Sequence, residues 1–149
     1  METKDLKIGN YINRNYGNIP IVILEVLSSR ISYNNPVLSG KSVCADLKGF
    51  SPIQLNNEWM LNFGFYALND SCGYRKEIKG RYRTFLLTVF LSHDIDGNEV
   101  WCENHADITE VGEGERFCSA IPLDINYVHQ LQNLYYSITG KELKLTTIK

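Results

Sequence analysis

The chain contains no long apolar run. The most extended, Ile19 to Leu24, falls far short of the roughly 18–20 residues that a membrane-spanning helix needs. The first residues, Met1-Glu2-Thr3-Lys4-Asp5, lack the basic and then apolar layout of a secretory signal. Cysteine is sparse: Cys44, Cys72, Cys102 and Cys118 form no C-x-x-C pair. In a chain large enough to build its own core, that pattern suggests free thiols and a cytoplasmic location, not disulfides. Phosphate-cradling G-x-x-x-x-G-K-[ST] and G-x-G-x-x-G patterns are absent, as is a glycine-flanked nucleophile elbow. No enzyme class can therefore be named, and a non-enzyme is expected. There is also no internal repeat, low-complexity tract or linker, so 149 residues suggest one domain over 1–149.

Two apparent metal patterns dissolve on inspection. Cys102 and His105 are three apart, but a structural zinc site needs a second close pair and none exists. Asp94-Ile-Asp-Gly-Asn-Glu99 resembles the start of a calcium loop, yet its glycine comes at the fourth position and His105 stands where the bidentate acid belongs. A turn explains it better. No metal and no cofactor are expected.

What is present is β-rich. Leu6 to Asn13 reads as a strand interrupted at Gly9, with a turn at Gly17-Asn18. Ile19 to Leu27 is dense in β-branched residues and suits a strand buried on much of both faces. Arg30 to Tyr33, stopped by Asn34-Asn35-Pro36, and Val43 to Leu47 suggest two more strands. Asn56 as cap, Trp59, Met60 and Phe63 as apolar face and Gly64 as left-handed terminator define a short central helix. Tyr82 to Ser92, a turn over Asp94 to Asn98 and Glu99 to Glu103 form a hairpin, His105 to Glu115 a polar loop, and Arg116 to Ile121 a return to the sheet. Helical spacing of Val128, Leu131, Leu134, Tyr135 and Ile138 predicts a helix over about Ile125 to Thr139, capped by Asp124 or Asn126 and closed by Gly140. Leu143 and Leu145 alternate with lysines, the pattern of a short final strand. The expected fold is α+β: a small curled antiparallel sheet or barrel with one short central helix and a C-terminal helix.

The formal net charge of -2 argues against a general nucleic-acid coat, whose affinity comes from neutralising phosphates. Local charge is more telling. Asp94 to Glu115 carries acids and no lysine or arginine, whereas Arg75, Lys76, Lys79, Arg81 and Arg83 cluster just before it, interleaved with Tyr74 and Tyr82. Arginine forks and tyrosine faces suit a small anionic, nucleotide-like ligand, by charge-assisted bonds and stacking. The competing explanation is a solvated loop that balances the acids. On the terminal helix, His129, Gln132, Asn133 and Tyr136 form a stripe of uncharged hydrogen-bonding groups. It fits a pocket, a contact with a second copy of the chain, or burial with satisfied hydrogen bonds.

Three segments also carry a resemblance: Leu6-Lys-Ile-Gly-Asn-Tyr-Ile12, Pro52-Ile-Gln-Leu-Asn-Asn-Glu-Trp-Met-Leu-Asn-Phe-Gly-Phe65 and Tyr127-Val-His-Gln-Leu-Gln-Asn-Leu-Tyr-Tyr-Ser-Ile-Thr-Gly-Lys-Glu-Leu143. They resemble a family of small, largely uncharacterised proteins encoded by phages and prophages of Gram-negative gut bacteria. That family carries no assigned reaction or catalytic residue, and residues 66 to 126 have no pattern that aligns with it. The resemblance implies an accessory protein in the bacterial host's cytoplasm that acts by binding. Sequestering a nucleotide-like immune signal is the leading expectation. The alternatives are blocking a host protein through the acidic segment, binding nucleic acid through a small barrel, or hydrolysing such a nucleotide with His93 or His129 as base.

Overall fold

Branched and aromatic residues at alternate positions favour a pleated, half-buried surface, and most of the chain adopts one. The computed structural model describes residues 1–68, 72–79, 84–92, 104–111 and 123–146. In chain order the elements are β1 (Tyr11–Arg14), β2 (Ile19–Val26), β3 (Arg30–Asn35), β4 (Lys41–Asp46), β5 (Phe50–Ser51), α1 (Asn57–Asn62), β6 (Tyr66–Ala67), β7 (Gly73–Lys79), β8 (Thr84–Phe90), β9 (His105–Val111), β10 (Leu123–Asp124) and α2 (Val128–Thr139). The class is α+β, as the residue pattern suggests, with two antiparallel sheets where one was expected. The backbone gathers into two compact units that interleave in sequence. One takes Met1–Gln54 and Tyr127–Glu142, the other Leu55–Asn126 and Leu143–Lys149.

In the first unit the strand order is β4-β3-β2-β1-β5. A register shift between Ile23 and Glu25 bulges β2 against β3 and bends the sheet. Ile12, Ile21, Ile23, Ile31 and Tyr33 fill the core with Leu6 and Phe50, and the Tyr33 and Phe50 rings meet edge to face at 5.2 Å. β2 is not buried on both faces: Ile21 and Ile23 are buried, while Pro20 and Leu24 are exposed. Alternate side chains point to opposite sides of a strand, and only one side meets the core. The turn at Gly17-Asn18 is present, with φ of +84° and +47°. The first strand starts later than expected because Gly9, at φ +88°, turns the chain so that Gly9 N–H bonds the Ile23 carbonyl at 2.8 Å. β3 runs through Asn34 and Asn35, which pair with Ser42 and Lys41, and the chain turns only at Pro36.

Helix α2 begins at Val128, three residues later than the apolar spacing suggests. Leu123 and Asp124 are already paired with β9, and the Asn126 carbonyl accepts from Leu55 N–H, so neither expected cap is placed to start a helix. Gln130 reaches back to accept from Tyr127 N–H at 3.0 Å. Gly140 ends the helix in the left-handed conformation, φ +66°, as expected.

In the second unit the order is β10-β9-β8-β7-β6. β7 and β8 pair from Gly73↔Phe90 to Lys79↔Thr84, and β8 and β9 from Thr84↔Val111 to Phe90↔His105. Asn56 caps α1 by accepting from Trp59 N–H at 3.1 Å, and Gly64 follows the helix at φ +75°, both as read from sequence. Met60, Phe63, Phe65, Tyr74, Leu87, Val89 and Ala106 are buried. Two loop readings are corrected. Residues 105–111 are a strand because Ala106, Ile108 and Thr109 find a full ladder on β8, and Tyr74 to Lys79 of the basic stretch lie in the inner strand β7, not in the solvated loop that was the competing explanation. The expected strand at Leu143 to Leu145 is absent. Thr146 instead gives both its N–H and its hydroxyl to the Asn62 carbonyl at the end of α1. The hairpin turn over 94–98, its strand over 99–103 and the return strand over 116–121 lie outside the described residues. No helix among the described residues is long and apolar enough to cross a membrane. Cys44 is a free thiol.

Candidate functional site

The polar stripe on α2 is first of all a clamp. Gln132, 5% exposed, accepts from Tyr11 N–H at 2.9 Å and donates to the Gly9 carbonyl at 3.0 Å. Asn133 donates to the Asp5 carbonyl at 2.8 Å and accepts from the buried Asn10 amide at 3.1 Å. Tyr136 is exposed, with Lys7 Nζ 4.9 Å from its ring centroid. Three of the four stripe residues thus meet the segment Asp5 to Tyr11. The turn around Gly9 leaves backbone groups with no strand partner, and side-chain amides supply both donor and acceptor there.

His129 is the exception. It is 4% exposed, its ring lies 5.8 Å from that of Tyr127 with the planes 8° apart, and its buried Nδ1 has no hydrogen-bond partner among the described residues. An unmatched buried nitrogen of this kind costs about 1–3 kcal/mol. Burial holds the imidazole below the usual histidine pKa, against the opposing pull of the Asp5 carboxylate, so the ring is neutral at neutral pH. Beside it lies a cavity of about 470 Å³ lined by Asp5, Pro52, Tyr127, His129, Gln130 and Asn133 together with Met1. All of these belong to the first unit.

The basic cluster is divided by strand geometry. Tyr74 is 1% exposed, and its ring belongs to the core. Lys76 follows on the same side: Nζ donates to the Phe63 carbonyl at 2.7 Å, approaches the Gly64 carbonyl at 3.3 Å and sits 5.6 Å from the Phe65 ring centroid. Burial lowers its pKa. It therefore secures the end of α1, where a cation complements the outward carbonyls. Lys76→Met keeps the apolar stem and removes the donor. The variant is expected to lose about 1–2 kcal/mol, seen as a lower urea midpoint at unchanged slope.

Arg75 and Lys79 point to the other side. Arg75 Nε donates to Thr88 Oγ1 at 3.1 Å, and Lys79 forms an exposed 3.3 Å ion pair with Glu77. Directly across the β6–β7 ladder from Arg75 stands Tyr66, 52% exposed. Paired residues share a face, so the exposed Tyr66 ring and Arg75 stand on one side of the sheet, while the bond to Thr88 draws the Arg75 side chain toward β8. Neither Tyr66 nor Asp5 was a candidate from sequence. Tyr66 lacks any local signal, since its pairing depends on how the chain returns between residues 68 and 73. Arg81, Tyr82 and Arg83 lie outside the described residues. Of the acidic segment, Asp107 and Glu110 project to opposite faces of β9, one on the Arg75 side and one on the Ile78 side, and so do not form one surface.

No family model, curated protein or solved structure matches this chain. Function has to be argued from its own residues.

Proposed function

We propose that this is a non-enzymatic accessory binding protein of phage or prophage origin, which acts in the bacterial host's cytoplasm by sequestering a small anionic, nucleotide-like immune signal. The observation that carries this reading is the face of β7 and β6 on which Arg75, Lys79 and the exposed ring of Tyr66 stand together. Arg75 uses Nε on Thr88, which orients the guanidinium while its two Nη groups can take a phosphate in a fork. Lys79 lies four residues along the strand, about 13 Å away at the usual rise, a span that suits a ligand longer than one phosphate. Its exposed pairing with Glu77 is weak enough to be exchanged for a phosphate. Tyr66 takes the stacking role that the buried Tyr74 cannot. The resemblance of three segments to phage accessory proteins supplies the biological setting.

The test is a thermal-shift screen against linear and cyclic nucleotides and ADP-ribose-type molecules, with mass spectrometry of any ligand released on heating. A binder present at one hundred times its Kd should add about 2.7 kcal/mol, a shift of roughly 5–10 °C for a chain of this size. Arg75→Glu should abolish the shift, and Tyr66→Ala should weaken it. Recovery of the ligand intact fits sequestration, and recovery of a cleaved product would make the protein a hydrolase. No shift with any compound would overturn the reading and redirect the search to a host protein partner.

A further inference from the structure

The outer strands of the two sheets differ in length. Among the described residues β5, β6 and β10 have two residues each and offer little backbone for a newcomer to pair with. β4 has six, Lys41 to Asp46, in unbroken register on β3 from Asn35↔Lys41 to Arg30↔Asp46. Proteins close such an edge with proline, a bulge or charge along the strand. β4 has no proline and no bulge, and its middle, Ser-Val-Cys-Ala, is uncharged. We infer that β4 pairs antiparallel with β4 of a second copy of this chain, about a two-fold axis at Cys44.

The ladder decides which residues are on offer. Leu47 N–H bonds the Ser29 carbonyl at 3.2 Å, in register with the β3–β4 pairing, while Leu27 N–H bonds the Arg30 carbonyl at 2.8 Å on the β2 side. Hydrogen-bonded pairs alternate along an antiparallel ladder, so Ile31, Tyr33 and Asn35 bond β4 through Ala45, Val43 and Lys41. The backbone N–H and C=O groups of Ser42, Cys44 and Asp46 therefore point away from β3, with no strand beyond them among the described residues. All three residues are exposed.

A second β4 complements that edge in one register. With the axis at Cys44, this residue faces its own counterpart and Ser42 faces the second copy's Asp46, so every outward N–H meets an outward C=O. Moving the axis to Val43 sets Asp46 opposite Gly40, and moving it to Ala45 sets Ser42 opposite Lys48, both outside the strand. The centred register also places Val43 against the second copy's Ala45. Both side chains are half-buried at the margin of the first unit's core, and the apolar side of the sheet continues through the axis. No like charges meet, since Lys41 lies opposite Leu47 and Asp46 opposite Ser42. That self-complementarity favours a second copy over an unrelated peptide.

Sedimentation equilibrium of the full chain under reducing conditions should show a mass that rises with concentration from one chain to two. Cys44→Lys, at an exposed position, sets two cations face to face on the axis and should weaken association about tenfold or more. Thermal unfolding of the variant confirms that it is folded. Mild oxidation reads the register. Residues facing each other in a hydrogen-bonded pair have Cα atoms about 5.5 Å apart, within the span of a disulfide, so peptide mass spectrometry should find Cys44 linked to Cys44. In Ser42→Cys/Cys44→Ser the two thiols stand four residues apart along the edge, roughly 13 Å, and should not link. A chain still monomeric at about 1 mM would leave the edge to a segment of another protein and overturn the self-pairing. A dimer unmoved by Cys44→Lys, or a link between the thiols at position 42, would overturn it too. β4 belongs to the first unit and β7 to the second, so these results leave the ligand reading untouched, and the Arg75→Glu result leaves this one untouched.

Discussion

Gln132→Leu, a substitution that nearly preserves volume and raises hydrophobicity, is expected to destabilise the protein by about 2–4 kcal/mol, since two part-buried backbone groups lose a bond at once. On an ordinary view of helices, a leucine beside Leu131 and Val128 would extend the apolar stripe. Here it takes away the acceptor for Tyr11 N–H and the donor for the Gly9 carbonyl. The position is 5% exposed, so water cannot replace them without opening the packing. Gln132→Glu makes a graded control: it keeps the acceptor for Tyr11 and sets an oxygen against the Gly9 oxygen. Urea denaturation reads the loss, and amide exchange at Tyr11 localises it. A Gln132→Leu midpoint equal to that of the parent chain would mean that the amide clamp contributes nothing.

The second large effect lies in the other unit. Phe63→Ala is expected to cost about 3–5 kcal/mol, the range for truncating a fully buried aromatic side chain. Phe63 is 0% exposed and packs 5.5 Å from Trp59 between ring centroids. Its carbonyl is the nearer acceptor of Lys76, so collapse around the cavity also disturbs the anchoring of β7. Thermal unfolding gives the magnitude. Amide exchange adds a discriminating observation: protection lost in β7 to β9 alone, or together with β1 to β3, decides whether the two units open separately or as one block.

For function, β7 divides the described part of the basic cluster between its two faces. Only Arg75 and Lys79, of the described residues first considered for ligand contact, face the Tyr66 side, while Tyr74 and Lys76 serve the core and the end of α1. The α2 stripe, considered as a pocket or an interface, divides likewise: Gln132 and Asn133 hold the first segment of the chain, and His129 lines a cavity.

Local chemistry alone determined a good part of this. The α+β class, the short helix with its Asn56 cap and Gly64 terminator, the Gly17-Asn18 turn, the amphipathic terminal helix and its Gly140 ending follow from propensity, apolar period and positive-φ positions, which act over a few residues. Tertiary structure decided the rest, because it depends on partners far away in the chain. α2 starts at Val128 because β9 and Leu55 take the residues before it into extended pairings. Residues 105–111 become a strand despite their polarity because β8 offers a complete ladder. Tyr66 meets Arg75, and Asp5 meets Asn133, through pairings that no spacing within either segment encodes. A strand's period of two then sends Tyr74 and Lys76 to one face of β7 and Arg75 and Lys79 to the other, a division that composition cannot express and only the location of the core determines.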